Sequence, residues 1–567
     1  MDGSERTTAG AALFARLGAL GVDYVFCNSG TDFPPMIEGL ARAQASGARL
    51  PRAILCPHEH AALGLAHGVW FATGRAQAVI LHTNVGLANG AIVAINAAMD
   101  HAPVLLMSGR TPTLEAGRFG ARTVPIGWGQ EMRDQAALVR EACKWEYELR
   151  FPEQVQEVAD RAWAIAESTP KGPVYLALPR EVLCESVSTA RLGEGPSMAP
   201  ALGAPPAAEV ARLARWIEAA ERPLLISQRG PGTDAAFETL TAMCEAWGIP
   251  VCHWWANAIA VPTTSPMEVG ADPEPWLSEA DLVIVLDALA PWMPEGHAPG
   301  PEAKVVHAGP SPLHARVPIR NFRSDLSLAG ETAETVRMLA EALGAPGPAA
   351  AARAARVAAV SRKIKQKQID KAKSGGRGAM SKAYVSACLG EAMQAFAGRT
   401  TVISELGAPL ALLPATHRNG WRQEPHSGGL GWGLPCAMGV ALAEPDTLVF
   451  ATMGDGSYVF ANPVACHQMI EALALPMVIL VLNNAEWGAV RQSVKSLYPQ
   501  GVAAQANEMP LTSLSPSPDF ASVAGASRAW ARRVEDGADL PAALAEAVRV
   551  AREERRCALL DLNVAPD

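Results

Sequence analysis

The chain is 567 residues long and 49% hydrophobic, and its 48 basic against 57 acidic side chains leave a formal net charge of −9. That length accommodates about three or four domains of the usual ~150 residues, and the acidic balance argues against a surface built to hold nucleic acid. The polar start Met1-Asp2-Gly3-Ser4-Glu5-Arg6 leads into no signal-type apolar core, and no apolar run approaches the ~20 residues that span a bilayer, so a cytoplasmic protein without a membrane partner is expected. Ten cysteines without a paired spacing suit a reducing compartment, where they behave as small hydrophobes rather than zinc ligands.

From Ala9 to about Val187, strand-like runs alternate with alanine-rich helical segments: Val22 to Phe26, Ala53 to Leu55, Ala78 to Leu81, Val104 to Met107 and Val174 to Ala177. Such alternation reads as a doubly wound α/β unit over residues 1–187. Ser188 to Ala207, rich in Gly, Pro, Ser and Ala, reads as a linker. A second α/β unit over 208–344 has strands at Leu224 to Ser227, Leu282 to Leu286 and Val305 to His307, and its Gly230-Pro231-Gly232 is a turn before it is a phosphate loop. The basic stretch inside Ala345 to Met380 reads as a solvated helix and connection. Residues 381–567 form a third α/β unit, giving three doubly wound parallel-sheet domains.

The third unit carries the stretch around which the rest is organised. Leu448 to Met453 is a buried strand running into Gly454-Asp455-Gly456-Ser457, where flanking glycines let backbone N–H groups approach an anion. A helix over Phe460 to Leu473 is expected next, with Asn462 as cap and Pro463 at its first position. Val478 to Leu482 then delivers Asn483-Asn484 to the carboxyl end of a neighbouring parallel strand, where open α/β sheets bind ligands. A carboxylate, an amide oxygen and a backbone carbonyl are hard donors that, with phosphate oxygens, suit magnesium.

Gly454-Asp455-Gly456-Ser457 with Asn483-Asn484 resembles the thiamin-diphosphate motif of the acetolactate synthase and pyruvate decarboxylase superfamily, and its surroundings resemble those of the benzoylformate decarboxylases. The resemblance covers nearly the whole chain and implies pyrimidine-binding, central and diphosphate-binding domains. It implies Mg2+ on Asp455, Asn484 and the main-chain oxygen of Glu486, and a diphosphate site that also takes in Gly454, Gly456, Ser457, Trp487 and Gly488, with Gly407 and Ala408 as a second loop. Glu59, in Cys56-Pro57-His58-Glu59-His60-Ala61-Ala62, takes the place of the glutamate that activates the cofactor, and an apolar site is expected around it. Within His426 to Pro435, the Gly428 carbonyl receives the cofactor's amino group and Leu430 is the wedge that bends it. Thr31, in Asn28-Ser29-Gly30-Thr31, and His82, in Leu81-His82-Thr83, take the positions of an active-site serine and a proton-carrying histidine.

The activity implied is non-oxidative decarboxylation of a 2-oxo acid through an enamine. An acetolactate-synthase-like carboligase or acyloin lyase is the alternative, and a flavin- or dinucleotide-dependent oxidoreductase a remote one, with FAD not expected. The family's shared site implies at least a homodimer, or a dimer of dimers that would be a homotetramer. Two departures stand out: Trp292 occupies the place of a second catalytic histidine, with His297 further along, and Val490 that of pyruvate decarboxylase's glutamate. Trp292, Trp421, Trp432 and Trp487 are candidates for an aromatic pocket.

Overall fold

The computed structural model describes residues 6–506 and 508–566. They form two compact units: one runs up to Leu202 and takes in Pro425–Glu444, and the other comprises Gly203–Glu424 and everything from Pro445 onward. Three large sheets, all parallel, realise the expected α/β class. Their central strands are continuous apolar runs because helices cover both faces, as in Met477–Asn483, buried throughout.

The first unit's six strands lie in the order Arg52–Leu55, Tyr24–Cys27, Gln77–Leu81, Val104–Arg110, Val174–Pro179, Glu146–Glu148. Strand order reverses between Tyr24–Cys27 and Gln77–Leu81, which opens a crevice at their carboxyl ends. The helix Glu59–Thr73 crosses Gly433–Ala443 at near-contact of the backbones: a Cβ on Gly68 would overlap the Cys436 carbonyl, and one on Gly439 the Leu65 carbonyl. The segment expected as a linker is tied to the first unit at its start. Ser186–Ser188 pairs antiparallel with Arg6–Thr8, and the buried Arg16 donates to the carbonyls of Leu192, Glu194 and Gly195 while pairing with Asp160 at 2.5 Å.

The second unit holds two sheets. The five-stranded one runs Val251–Cys252, Pro223–Ser227, Leu282–Leu286, Lys304–Gly309, Leu326–Ala329. The six-stranded one runs Trp421–Gln423, Thr400–Glu405, Leu448–Gly454, Met477–Asn483, Ala558–Asn563, Trp530–Val534, and reverses order between Thr400–Glu405 and Leu448–Gly454. One 26-residue helix, Pro348–Lys373, carries the basic run expected as a solvated helix and connection, with Arg362, Lys363, Lys367, Lys371 and Lys373 exposed as expected and Ala350, Arg353 and Val357 buried. Its buried Arg353 donates to the carbonyls of Trp247 and Ala220, at the ends of Asp234–Trp247 and Ala207–Ala219, where helix dipoles favour a cation. The helix expected within Phe460 to Leu473 forms as Pro463–Ala472, and a short helix not expected from the sequence, Asp455–Phe460, precedes it. Asn462 between the two has φ 55 and makes no side-chain cap, while Pro463 opens the second helix as expected. Among the described residues no helix is long and apolar enough to cross a membrane.

Candidate active site

At the first sheet's carboxyl edge, Thr31, Glu59 and His82 each follow one of three adjacent strands, Tyr24–Cys27, Arg52–Leu55 and Gln77–Leu81. Glu59 opens its helix, and its Oε2 accepts from Asn89 at 2.8 Å in the helix Thr83–Met99. Its carboxylate is half-exposed within the single chain, so the apolar enclosure expected around it is not formed there. The facing Gly86 leaves it room: a Cβ there would stand 3.3 Å from Glu59 Oε1. His82 is held by Asp32, whose Oδ1 lies 2.5 Å from Nδ1, and Gln130 Nε2 stands 3.1 Å from Nε2. The Asp32 hydrogen bond is the main cause that raises the His82 pKa above its ordinary 6.5, with burial opposing and the charges of Asp32 and Glu59 adding. Thr31 is exposed beside a crevice of about 20 Å³ that Asp32, Gln130, Arg110 and Arg180 also line.

Also in the first unit, the segment after Glu424 is gripped by Asn96. That side chain donates to the Gly429 carbonyl at 2.8 Å and accepts from Gly429 N and Ser427 Oγ, so it reads the backbone in both directions. Gly428 has φ 67 with open space where a Cβ would stand, and Leu430 is half-buried. Trp432 donates its indole N–H to His67 Nδ1 at 3.0 Å, and His67 Nε2 faces Asp100 at 3.3 Å, all three buried. His60, next to Glu59, is pushed down to about 4 chiefly by burial and bonds the Gly431 backbone.

In the second unit, Gly407 and Ala408 follow Thr400–Glu405 and Asp455 follows Leu448–Gly454, on the two sides of the strand-order reversal; Asn484 follows the next strand over. The Gly-Asp-Gly stretch is not a turn: Gly454 ends the strand with φ −66 and Asp455 begins the helix. Its glycines do different things. A Cβ on Gly454 would meet nothing within 4 Å, whereas one on Gly456 would overlap the Trp487 ring and one on Gly407 the backbone of Thr452. Ser457 is buried in the first turn.

Asp455 is 4% exposed and pushed up to about 6, chiefly by burial, although backbone N–H groups of Gly456 and Ala485 oppose the shift. Its Oδ2 is buried without a hydrogen-bond partner. An orphaned carboxylate oxygen costs free energy that a cation would recover, so the residues present fit a metal here. Asn483 is structural, donating to Asp561 at 3.0 Å and accepting from Ser517. Asn484 Oδ1 accepts from Glu486 N at 3.1 Å across Ala485, which has φ 55. The Glu486 carboxylate pairs with Arg491 at 2.7 Å, and its carbonyl accepts from Gly488 N at 2.9 Å.

Trp292 is 5% exposed in the core of the five-stranded sheet, edge-on to Phe322, and Trp421 sits buried on the edge strand of the six-stranded one, lining a cavity of about 320 Å³ with Trp254 and Trp255. Trp432 is tied up with His67, and Trp487 lies over Gly456 against Phe460. His297 packs edge-on to Trp254, 3.8 Å from Glu274. Asp32, Asn89, Asn96 and Gln130 were not singled out from the sequence; only Asp32, next to Thr31, carried a local signal, a carboxylate in a glycine-bearing loop at a strand's end.

Three family models match in succession: the N-terminal TPP binding domain of thiamine pyrophosphate enzymes over residues 7–138, the central domain over 210–339, and the C-terminal TPP binding domain over 408–562. This chain is a thiamine pyrophosphate enzyme. The enzyme is 27% identical to a probable 2-ketoarginine decarboxylase of Pseudomonas aeruginosa over 549 residues, covering 94% of this chain and 91% of that one. It is 25% identical to a benzoylformate decarboxylase of the same species, with coverage of 85% and 87%. The solved 4-hydroxybenzoylformate decarboxylase of Rhodococcus jostii shares the fold with a TM-score of 0.78 at 22% identity, over 99% of this chain and 100% of that one. The enzyme is thus a thiamin-dependent member of the 2-oxo acid decarboxylase and carboligase group.

Proposed function

We propose that the enzyme decarboxylates a 2-oxo acid without oxidation, using thiamin diphosphate held through Mg2+. When bound, the cofactor supplies an electron sink for the pair left behind by carbon dioxide. Asp455, Asn484 and the Glu486 carbonyl would hold the metal, supported by the orphaned Asp455 Oδ2. Gly407, Ala408 and Gly454 to Ser457 would cradle the diphosphate, with Trp487 and Gly488 closing the far side, supported by the strand-order reversal between them. Glu59, steadied by Asn89, would keep a proton at the pyrimidine nitrogen, while Gly428 and Leu430 orient the rings.

His82 carries the reading of the outcome: its imidazole is held at the same strand edge as Glu59, with its charged form favoured, so it can give a proton to the carbon that lost carbon dioxide. The Thr31 hydroxyl would bind the substrate carboxylate, helped by the positive charge of Arg180, which donates to the Thr31 carbonyl. A second reading, ligation to another carbonyl to give an acyloin, is favoured by Trp292, an apolar core residue in the place that the resemblance gives to a second histidine. Because Glu59 and Asp455 belong to different units, we place the shared site in a homodimer or a dimer of dimers, and the buried thiols suit a cytoplasmic setting.

The test is carbon dioxide release and product analysis with pyruvate, longer aliphatic 2-oxo acids, benzoylformate and 2-ketoarginine. Aldehyde formation that needs both thiamin diphosphate and Mg2+ is expected. Acyloin as the main product would favour the second reading, and turnover that survives removal of both would sink the proposal.

A further inference from the structure

Two side chains beside His82 have no part in the reading above. Asp32 is 4% exposed, with Oδ1 2.5 Å from His82 Nδ1 and Oδ2 3.3 Å from the Thr83 backbone N–H. On the opposite side of the ring, the Gln130 carboxamide lies 3.1 Å from Nε2. We propose that Asp32 is the positioning residue for His82, holding the imidazole by Nδ1 so that Nε2, backed by Gln130, is the atom that carries the proton of the reaction.

The arrangement is built into the fold at four places. A carboxylate only accepts, so Nδ1 must keep its hydrogen and Nε2 is left as the exchanging atom. Gly30 and Gly109 make room for the pair: a Cβ on Gly30 would overlap the His82 ring, and one on Gly109 the Asp32 carboxylate. Neither glycine has a positive φ, so the need for them is space and not backbone conformation. Thr83, directly after His82, has φ 43, a strained value for a β-branched residue, and Asp32 accepts from its N–H.

Burial works against the charged imidazole, while Asp32 and Glu59 favour it. The other charged groups lining the crevice are engaged: Arg110 pairs with Glu131 and Glu148, and Arg180 donates to the carbonyls of Gly120, Ala121 and Thr31. Gln130 suits both states of the ring, donating to a neutral Nε2 or accepting from a protonated one. In the step itself the Nε2–H bond breaks, a C–H bond forms with the pair freed by loss of carbon dioxide, and the ring regains its proton from water.

The inference rests on the decarboxylase reading only for that last step, and one experiment separates the two. Histidine-selective NMR titration of the cofactor-free protein follows His82, identified by His82→Gln, in the wild type, in Asp32→Asn and in Gly109→Ala, which crowds Asp32 without removing it. Both variants should lower the His82 midpoint by about one pH unit or more. In Asp32→Asn the alkaline limb of kcat/KM should move down by the same amount, kcat should fall about 10- to 100-fold, KM should change far less, and product should shift from aldehyde toward acyloin. An unchanged His82 midpoint in both variants of an active enzyme overturns the role of Asp32. A lowered midpoint in a protein that turns over no 2-oxo acid leaves the Asp32–His82 pair standing and removes the proposed function.

Discussion

The carboxylate of Glu59 is half-exposed and steadied by a single amide, Asn89, so it can reach a pyrimidine nitrogen without first breaking an ion pair. Replacing it by Gln keeps the shape and removes the acid. Glu59→Gln should slow hydrogen–deuterium exchange at the cofactor's C2 by about 10²- to 10⁴-fold while leaving Mg2+ binding intact; unchanged exchange would refute the role. Asp455 invites a pH experiment because burial raises its carboxyl from the ordinary 3.8 to about 6. A carboxyl raised in the folded state contributes stability fully below 3.8 and loses it as pH rises through about 6. The cofactor-free enzyme should therefore lose stability over that window, by no more than about 3 kcal/mol for a two-unit shift. Binding of Mg2+ with thiamin diphosphate should weaken as pH falls through the same window and release a proton there. Calorimetry in buffers of different ionisation enthalpy measures that proton, and its absence would argue against Asp455 as a ligand.

Among the elements, two kinds of glycine separate stability from binding. Gly68 lies where the helix that begins at Glu59 crosses Gly433–Ala443, and an added methyl would overlap a backbone carbonyl that has no way to swing aside. Gly68→Ala should cost about 1–3 kcal/mol or more, seen as a lower Tm of the cofactor-free protein. Gly454 has open space at its Cβ position and an ordinary φ. Gly454→Ala should leave that Tm nearly unchanged, within about 0.5 kcal/mol, yet weaken thiamin diphosphate binding if the cofactor presses on this backbone. A variant that binds normally would remove Gly454 from the cradle. The crossing also explains why the loop bearing Gly428 and Leu430 belongs with the first unit: Asn96 and His67 bond that loop from helices of the first sheet.

For the whole molecule, Glu59 and Leu430 lie in one compact unit and Asp455 and Asn484 in the other. If subunits complete each other's sites, specific activity should fall on dilution below the dimer's dissociation constant, in step with the sedimentation coefficient. A fully active monomer would end that proposal. Thiamin diphosphate with Mg2+ should raise the Tm in proportion to the logarithm of its concentration, and a chelator should reverse the gain.

The three parallel sheets were legible in the chain because a strand buried on both faces must be a continuous apolar run, as Val478 to Leu482 is, and because such runs alternate with helices. Strand ends slipped by up to three residues, and Val104 to Met107 continues to Arg110, since backbone pairing goes on past the last apolar side chain. The motif around Asp455 was legible for the same local reason: strand, carboxylate and paired asparagines are consecutive in sequence. Composition is silent where burial depends on a distant partner: the basic run from Arg362 to Lys373 is exposed as its charge suggests, whereas Arg353 on the same helix is buried because it meets two helix ends. Trp292 reads alike as pocket wall or core, and packing against Phe322 made it core. The sequence by itself determined the class of fold and the strand ends that bear chemistry, because these follow from local periodicity. Only the tertiary structure decided that Asp32 holds His82 and Asn96 holds Gly429, because those bonds join residues 50 and 333 positions apart, which only the packed sheets and helices bring within hydrogen-bond range.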